Sequence, residues 1–391
     1  MTTFVCIALF LVMLFQVGLL TTWLEVHREL PKLGPRTRPG VPDNAPLVSV
    51  VIPARDEEKT IETCVAGVLA QDWPNLEVIV VDDRSSDRTP EILARLATQD
   101  PRLTVIRGEE CPKTWMGKNY ALHQGFTCSR GEWILFLDAD TQVAPQVVTQ
   151  TVREAEHTDT GLLTLIPGNV FRCFWDRVVN TLIFQLAAFQ QFDKIHDPTS
   201  TRANANGPYM LFRRDCYDAI GGHAAIPYEV VEDLVLARNV KEKGFRIRWA
   251  LAPELMKLEL YESLRDLKRG WGKILQRAME IDRREIVMNL LGPLFLLVFF
   301  VLPFPALLAS TGWLLTAATP ASVFAFVCAL AACSAAATSQ RFVGVVLRLD
   351  EIHPWLFWLG ALVLAELQWE SVVRLFLKKE MYWKGRLYHE S

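Results

Sequence analysis

The side chains best suited to chemistry lie in three acidic motifs. They are Asp82-Asp83, Asp138-Ala139-Asp140 and Glu232-Asp233. The first two follow short apolar runs, residues 76–81 and 133–137, which are typical of buried strands. Because open α/β sheets bind their ligands at the carboxyl ends of the strands, we expect both motifs to line a ligand site.

Asp138 and Asp140 are separated by one residue, so their side chains point to the same side of an extended segment. Two carboxylates in that arrangement suit a hard divalent cation, and such cations usually hold phosphates. The sequence has no G-x-G-x-x-G after its first predicted strand and no G-x-x-x-x-G-K-[ST] loop. We therefore predict that a nucleotide diphosphate is held through a metal ion rather than by a glycine-rich loop.

Strand-like and helix-like segments alternate around these motifs and must position them. Strands are predicted at 47–53, 76–81, 103–106 and 133–137, and helices at 56–70, 87–98 and 118–128. This alternation indicates a mostly parallel sheet with right-handed crossovers. The later segments are an apolar helix within 171–192, on a membrane surface or in a core, a helix at 229–243, a strand at 245–250 and a basic helix at 263–279.

The composition excludes some classes of partner. The chain has 391 residues, a hydrophobic fraction of 51% and a formal net charge of −3, which argues against a bulk nucleic-acid partner. None of its eight cysteines forms a C-x-x-C pair or a cluster with zinc spacing. We expect reduced thiols that face a reducing compartment.

Two long uncharged stretches predict membrane helices. Residues 2–24 fit one crossing, and residues 286–340 fit two crossings joined by a turn at Thr319-Pro320. The first helix of this hairpin would be kinked by its prolines, Pro293, Pro303 and Pro305. We expect residues 2–24 to be a retained anchor rather than a signal peptide, since they lack a basic start and a clear cleavage site.

Basic residues follow the first stretch and precede the second. They are Arg28, Lys32, Arg36 and Arg38 on one side and Arg265, Lys268, Arg269, Lys273 and Arg277 on the other. The positive-inside rule therefore predicts that residues 25–285 lie in the cytoplasm. A crossing by 355–377 would carry the basic Lys378-Lys379 pair outside, so we expect an interfacial helix there, with a fourth crossing as the alternative.

Four motifs, in order, resemble those of family 2 glycosyltransferases of the GT-A fold. They are Val-Val-Ile-Pro-Ala-Arg-Asp-Glu-Glu at 50–58, Val-Val-Asp-Asp-Arg-Ser-Ser-Asp at 80–87, Asp138-Ala139-Asp140 and Glu232-Asp233. The resemblance covers residues 47–280. It implies an α/β protein: a GT-A, Rossmann-like cytoplasmic domain with a mostly parallel sheet and flanking transmembrane helices.

The resemblance implies which residues bind the donor nucleotide. Four would edge its base and ribose, namely Pro53, Ala54, Arg55 and Glu57. Asp82 and Asp83 would bind the base or the ribose.

The same resemblance implies roles at the diphosphate. Asp138 and Asp140 would flank it as ligands of Mg²⁺ or Mn²⁺. Lys118 would neutralise part of the nucleotide charge, and Asp233 would act as the general base.

The helix at 269–277 lacks the Gln-x-x-Arg-Trp sequence of processive members of the family. It reads Arg-Gly-Trp-Gly-Lys-Ile-Leu-Gln-Arg, which is similar to the Gly-Trp-x-Lys segment of bacterial enzymes that glycosylate carotenoids, and the tail at 382–388 is similar to that branch too. The resemblance implies transfer of one sugar to one lipid, with Trp271, Lys273 and Arg277 closing over the donor.

The resulting expectation is an inverting, metal-dependent enzyme of a bacterial inner or internal membrane. It would transfer one sugar from a UDP- or GDP-sugar to a lipid alcohol, first a carotenoid, and otherwise a hopanoid, a ceramide or a glycerolipid. A nucleotidyl or phosphoryl transferase with the same metal site and an inactive scaffold of a lipid pathway are the alternatives.

The expected boundaries follow from these assignments. We predict an N-terminal transmembrane helix at 1–24, a linker at 25–46, the GT-A domain at 47–285, a transmembrane hairpin at 286–340 and an interfacial or transmembrane helix with a basic tail at 341–391.

Overall fold

The computed structural model of the chain describes residues 2–35, 40–281, 283–349, 351–377, 381–383 and 386–388. The chain divides into two compact units. The helical unit contains Met1–Arg28, Phe171–Gln190 and Leu260–Ser391, and the sheet unit contains Glu29–Val170 and Gln191–Glu259. Four basic residues used to predict the orientation lie outside the described residues, namely Arg36, Arg38, Lys378 and Lys379. So do Lys384 and Gly385 of the tail segment.

Eight strands form the mixed sheet of the sheet unit. They are β1 (Val48–Ala54), β2 (Leu76–Asp82), β3 (Leu103–Arg107), β4 (Trp133–Leu137), β5 (Thr141–Val143), β6 (Thr160–Val170), β7 (Tyr209–Arg213) and β8 (Arg246–Glu259), in the spatial order β3-β2-β1-β4-β7-β6-β8-β5. A separate hairpin pairs β9 (Met381–Trp383) with β10 (Arg386–Tyr388).

Helices flank the strands in the sheet unit and build most of the helical unit. They are α1 (Thr2–Glu29), α2 (Ile61–Leu69), α3 (Thr89–Ala97), α4 (Gly117–Thr127), α5 (Val147–His157), α6 (Phe174–Leu186), α7 (Phe192–His196), α8 (Arg214–Ala219), α9 (Glu232–Glu242), α10 (Leu264–Ile281), α11 (Arg283–Leu296), α12 (Pro303–Thr316), α13 (Pro320–Val346) and α14 (Phe357–Phe376).

The half of the sheet around β1 has the predicted parallel arrangement. Strands β3, β2, β1 and β4 run parallel, and β7 then joins β4 in the antiparallel direction. The predicted α/β fold with a GT-A-like sheet is therefore confirmed, although β5, β6, β7 and α5 did not stand out in the sequence.

The packing of α4 on the sheet fixes where its first turn lies. A Cβ atom at Gly125 would come within 2.4 Å of Cγ1 of Val51 in β1. Glycine is thus required for the close approach of α4 to β1, a contact that positions Lys118 at the start of α4.

The predicted helix at 56–70 begins too early. Helix α2 starts at Ile61, because Asp56 adopts a left-handed conformation with φ of 53° and the following backbone forms a loop. The N–H group of Glu57 donates to Thr89 Oγ1 at the start of α3, at 2.8 Å, and that of Glu58 donates to Asp87 Oδ2 in the β2–α3 loop, at 3.0 Å, instead of helping to start a helix.

Four helices of the described chain are long and apolar enough to cross a membrane. They span Thr3–Glu29, Arg284–Thr316, Pro320–Val346 and Pro354–Phe376. The predicted turn at Thr319-Pro320 lies between the second and third, where Thr319 caps α13 by accepting from the N–H of Ser322 at 3.2 Å. An interfacial position for 355–377 stays a prediction, since that helix also meets the length and composition of a crossing.

Within the helical unit, α6 packs into a core, which favours the core alternative for the predicted helix within 171–192. Its Val179 packs with Leu267 of α10 and with Val363 and Leu367 of α14, and all four side chains are buried. The part of the apolar face of α10 around Leu267 is therefore covered by protein in this unit, whereas Ile274 is exposed.

A π-helical turn at Leu297–Val301 interrupts the second candidate span immediately before Pro303. Proline has no N–H, so it cannot bond to the carbonyl of Phe299 four residues earlier. The side chain of Gln16 in α1 supplies the missing donor, with Nε2 at 2.7 Å from the Phe299 oxygen. The buried Gln16, in the apolar part of α1, thus replaces the hydrogen bond that the proline cannot form.

We expect Gln16→Leu to lower the thermal stability of the detergent-purified protein, because it leaves the Phe299 carbonyl without a donor. Interhelical hydrogen bonds in membranes contribute about 0.6–2 kcal/mol. Differential scanning fluorimetry measures the effect. Thr21→Val is the matched control, since the Thr21 hydroxyl is exposed and bonds only within its own helix, to Gly18 O. Equal melting temperatures for the two variants would contradict the assignment.

Candidate functional site

The loops after β1 and β2 are interlaced by hydrogen bonds. Oδ1 of Asp56 accepts from the N–H of Ser86 at 2.7 Å, and the N–H of Asp56 donates to Oγ of Ser85 at 3.0 Å. Asp56 and Arg84 both have positive φ, 53° and 57°, which turns each loop sharply away from its strand. The carboxyl ends of the two strands are thereby held as one rigid edge.

Asp83 lies at that edge beside the predicted base-binding residues. Its N–H donates to the carbonyl of Ala54 at 2.8 Å, and its Oδ2 is 3.3 Å from Nη1 of Arg55. Pro53 and Ala54 pair with Val81 and Asp82 across the two strands. The structure thus brings this predicted group together.

Asp82 has a structural task as well. Its Oδ1 accepts from the N–H of Ser85 at 3.0 Å, and its carbonyl accepts from the N–H of Gly108 at 2.8 Å. A Cβ at Gly108 would lie 3.0 Å from that carbonyl oxygen, so the chain after β3 passes very close to the end of β2. One carboxylate oxygen of Asp82 is therefore committed to the turn.

Asp138 and Asp140 lie in the tight turn between β4 and β5. The Asp138 carbonyl accepts from both the N–H and the hydroxyl of Thr141, at 3.2 and 2.6 Å. Burial raises the pKa of Asp140 to about 7, and repulsion by Asp138 and Glu57 adds to the rise. A carboxyl in such surroundings favours a nearby positive charge.

Lys118 joins this turn to the third acidic motif. Its Nζ is 2.8 Å from Oδ1 of Asp138 and 2.7 Å from Oε1 of Glu232. Burial by itself lowers the pKa of Lys118, but the two carboxylates raise it above the ordinary value, so the amine stays charged.

Asp233 lies next to Glu232 in the first turn of α9. Its two oxygens accept from separate backbone groups, the N–H of Gly207 at 2.9 Å and the N–H of Leu234 at 2.8 Å. Burial raises the pKa of Asp233 to about 7, with a further contribution from Glu232. The carboxylate is oriented by the backbone, and its affinity for a proton is greater than that of an ordinary aspartate.

Gly207 lies directly against this carboxylate. A Cβ there would lie 3.2 Å from Oδ2 of Asp233, so a side chain at this position would crowd the aspartate. Gly207 has no predicted role, because it lies 26 positions before Asp233 and no local pattern links the two.

Asn119 is a second residue without a predicted role. Its amide donates to the carbonyls of Ile226 at 3.0 Å and Glu229 at 2.8 Å, which anchors the loop that leads into α9. The N–H of Met116 adds a bond to the Pro227 carbonyl at 2.8 Å. The start of α4 thus holds both Lys118 and the approach to Asp233.

The residues present fit a divalent cation only with help from a ligand. Among the described residues there is no group of three or more His, Cys, Asp or Glu that could hold a metal by itself. Mg²⁺ sites commonly use one or two carboxylates together with substrate phosphates and water. Asp140, whose charge is disfavoured by burial and by two neighbouring acids, suits such a partial site.

The three residues predicted to close over the donor belong to α10 of the helical unit. Nε1 of Trp271 donates to Oδ1 of Asn180 in α6 at 2.7 Å, and Arg277 pairs with Glu280 at 2.7 Å. Trp271 also packs against the cluster around Leu267. Its indole is engaged in holding α10 to α6, and the donor role of Trp271, Lys273 and Arg277 stays a prediction.

Comparison with known proteins agrees with this geometry. Residues 49–221 match the family model described as glycosyl transferase family 2. A 4,4'-diaponeurosporenoate glycosyltransferase of Staphylococcus aureus (strain USA300) is 27% identical over 236 residues, 59% of this chain and 61% of the relative. The match therefore spans less than two thirds of that relative's length. A mannosyltransferase from Pyrobaculum calidifontis, solved in complex with GDP-Man and Mn²⁺, shares the fold, with a TM-score of 0.54, 18% identity and coverage of 97% of this chain and 100% of that one.

The raised pKa of Asp140 predicts a pH-dependent cost in stability. A carboxyl whose pKa is about 7 in the folded protein and ordinary in the unfolded chain contributes stability at low pH that is lost as the pH rises towards 7. We expect Asp140→Asn, which cannot ionise, to raise the melting temperature relative to wild type. The difference should grow between about pH 4, the ordinary pKa in the unfolded chain, and about pH 7, the raised pKa in the folded protein, and level off above it.

The measurement is differential scanning fluorimetry with a chelator present, so that no metal ion offsets the charge. Asp43→Asn is the control, since Asp43 is an exposed carboxylate of the same unit. A difference that does not change with pH would show that Asp140 ionises without hindrance.

Proposed function

We propose that this chain, which has the GT-A fold, is a family 2 glycosyltransferase that transfers one sugar from a nucleotide-sugar donor to a membrane lipid. The transfer is inverting and requires Mg²⁺ or Mn²⁺. The observation that carries the proposal is that one site contains Asp138, Lys118, Glu232 and Asp233. Asp138 is suited to a metal ion that holds a diphosphate, Lys118 to the diphosphate itself, and Asp233 to accepting a proton.

The donor would bind along the edge formed by β1, β2 and β4. Asp82, Asp83 and Arg55 lie where the base and ribose are expected, with Pro53, Ala54 and Glu57 on the same edge. Asp138 and Asp140 would hold Mg²⁺ or Mn²⁺ together with the diphosphate. When bound, the cation stabilises the negative charge that develops on the leaving nucleoside diphosphate.

Asp233 is the proposed general base. The acceptor hydroxyl loses its proton as the new glycosidic bond forms, and a positioned carboxylate accepts it. A pKa of about 7 brings the carboxylate near the operating pH, where proton transfer is most effective. The two N–H donors fix both of its oxygens, so the base has one orientation. A single displacement with this base inverts the anomeric carbon.

The acceptor is proposed to be a lipid alcohol presented by the bilayer. Four helices in the described part of the chain are long and apolar enough to cross a membrane, which supports a membrane enzyme. Basic residues near their ends support a cytoplasmic catalytic domain. The name of the staphylococcal relative favours a carotenoid as the first acceptor, ahead of a hopanoid, a ceramide or a glycerolipid.

The test is a transfer assay with the full-length protein in lipid nanodiscs. Labelled UDP- and GDP-sugars are supplied with Mn²⁺ and with each acceptor class in turn, and the lipids are extracted for mass spectrometry. The expected product has the mass of the acceptor plus one sugar residue, and a chelator abolishes it. Sugar nucleotides that bind without any lipid product would indicate a scaffold instead.

Asp233→Asn separates this mechanism from its alternatives. With a hydroxyl acceptor we expect kcat to fall by about 10²–10⁴-fold, the usual contribution of general base catalysis. The wild-type rate should rise with pH through about 7, as Asp233 loses its proton, and this rise should vanish in the variant. Asp43→Asn is the control.

Near-normal turnover of Asp233→Asn would reject the base and favour a nucleotidyl or phosphoryl transferase if no lipid glycoside forms. If a lipid glycoside does form at the normal rate, the acceptor is a carboxylate, as the name of the staphylococcal relative indicates for that enzyme. A carboxylate is already ionised at neutral pH and needs no base.

A further inference from the structure

Lys118 pairs with a carboxylate from each half of the site: Asp138, a proposed metal ligand, and Glu232, the neighbour of the proposed base Asp233. Its ammonium group lies 2.8 Å from Asp138 Oδ1 and 2.7 Å from Glu232 Oε1. Glu232 is only 5% exposed, and a buried carboxylate requires a partner to remain charged. One cation therefore satisfies two acidic motifs that are 94 residues apart in the sequence, Asp138 and Glu232.

The position of Lys118 in its own helix is unfavourable. A lysine in the first turn lies at the positive end of the helix dipole. The first turn of α4 has no acidic residue to offset that charge. The two carboxylates across the site therefore hold Lys118.

The charge of Lys118 also reaches both of the carboxyls with raised pKa. Burial and acidic neighbours raise the pKa of Asp140 and of Asp233, and Lys118 opposes the rise in each case. Any displacement of the ammonium group from Asp138 thus changes the electrostatic potential at Asp140 and at Asp233 together.

Building on the proposed function, we propose that Lys118 is an internal competitor of the divalent cation, which makes binding of the metal depend on binding of the nucleotide. A cation ligated by Asp138 would lie about 2 Å from a carboxylate oxygen, close to the ammonium group on the same carboxylate. Like charges at such a separation repel strongly. The metal ion alone must therefore displace Lys118 from Asp138.

When a nucleoside diphosphate is bound, the metal ion and Lys118 no longer compete for Asp138. Its phosphate oxygens can ligate the metal ion and accept hydrogen bonds from an ammonium group at the same time. Lys118 then exchanges Asp138 for a phosphate while Glu232 keeps it in the site. Metal ion and nucleotide bind cooperatively, and the coupling free energy resides in Lys118.

The experiment is a titration of free Mn²⁺ by electron paramagnetic resonance, with full-length protein in detergent. It is done without nucleotide and then with UDP and with GDP. Lys118→Gln should bind Mn²⁺ alone about ten-fold more tightly than wild type, and the gain in Mn²⁺ affinity caused by nucleotide should shrink by a similar factor, within the usual range of coupling between sites.

Two single variants serve as controls. Lys118→Arg keeps the positive charge and should bind Mn²⁺ alone like wild type. Lys113→Gln removes one exposed positive charge five residues earlier and should also have no effect, which excludes a simple change in net charge.

The charge-balanced double variant Lys118→Gln/Glu232→Gln protects the test against misfolding, because it leaves no unpaired acid at the buried position 232. Asp138 is freed in both variants, so both should show the tighter Mn²⁺ binding. Unchanged or weaker binding in the folded double variant overturns the inference. Tighter Mn²⁺ binding by the variants, together with no lipid product from the wild-type protein in the transfer assay, would instead reject the proposed function and leave the role of Lys118 intact.

Discussion

The pairing of one lysine with two carboxylates is the interaction on which the arrangement of the site depends. Lys118 can reach Asp138 and Glu232 together only if α4, the end of β4 and the start of α9 converge. The close contact of Gly125 with β1 sets the height of α4 above the sheet. Asn119, the next residue along, holds the loop before α9. Neighbouring positions on one helix thus assemble both halves of the site.

The edge of the sheet where the donor nucleotide is proposed to bind is shaped by loops, whereas the pairing of Lys118 depends on helix α4. The β1–α2 and β2–α3 loops bind each other through Asp56, Ser85 and Ser86, so neither depends on its own helix for its shape. Acidic and hydroxyl side chains in these loops are therefore partly structural. Asp82 illustrates this, since one of its oxygens holds the turn even though the residue belongs to the nucleotide-binding motif.

The sequence predicts the strands of the site better than the contacts among its side chains. The runs at 76–81 and 133–137 are continuous, apolar and β-branched or aromatic, and they form β2 and β4 as expected. The end of β6 is harder to recognise, because Pro167 and Gly168 interrupt it where its pairing with β8 shifts register. The predicted start of α2 is wrong, because the N–H groups of its expected first turn donate to side chains at the end of the β2–α3 connection. The pairing of Lys118 with Glu232 depends on strand order and on the position of α9, which no local pattern encodes.

The hydrogen bond between Gln16 and the Phe299 carbonyl has a consequence for the depth of the N-terminal helix. A slip of α1 by one turn would move Gln16 by about 5.4 Å and leave two polar groups bare in hydrocarbon, where no water replaces the lost bond. The same slip would break the buried bond from Nε1 of Trp23 to the Gln185 carbonyl, which is 2.6 Å long. Two polar side chains seven residues apart, Gln16 and Trp23, therefore fix the axial position of α1.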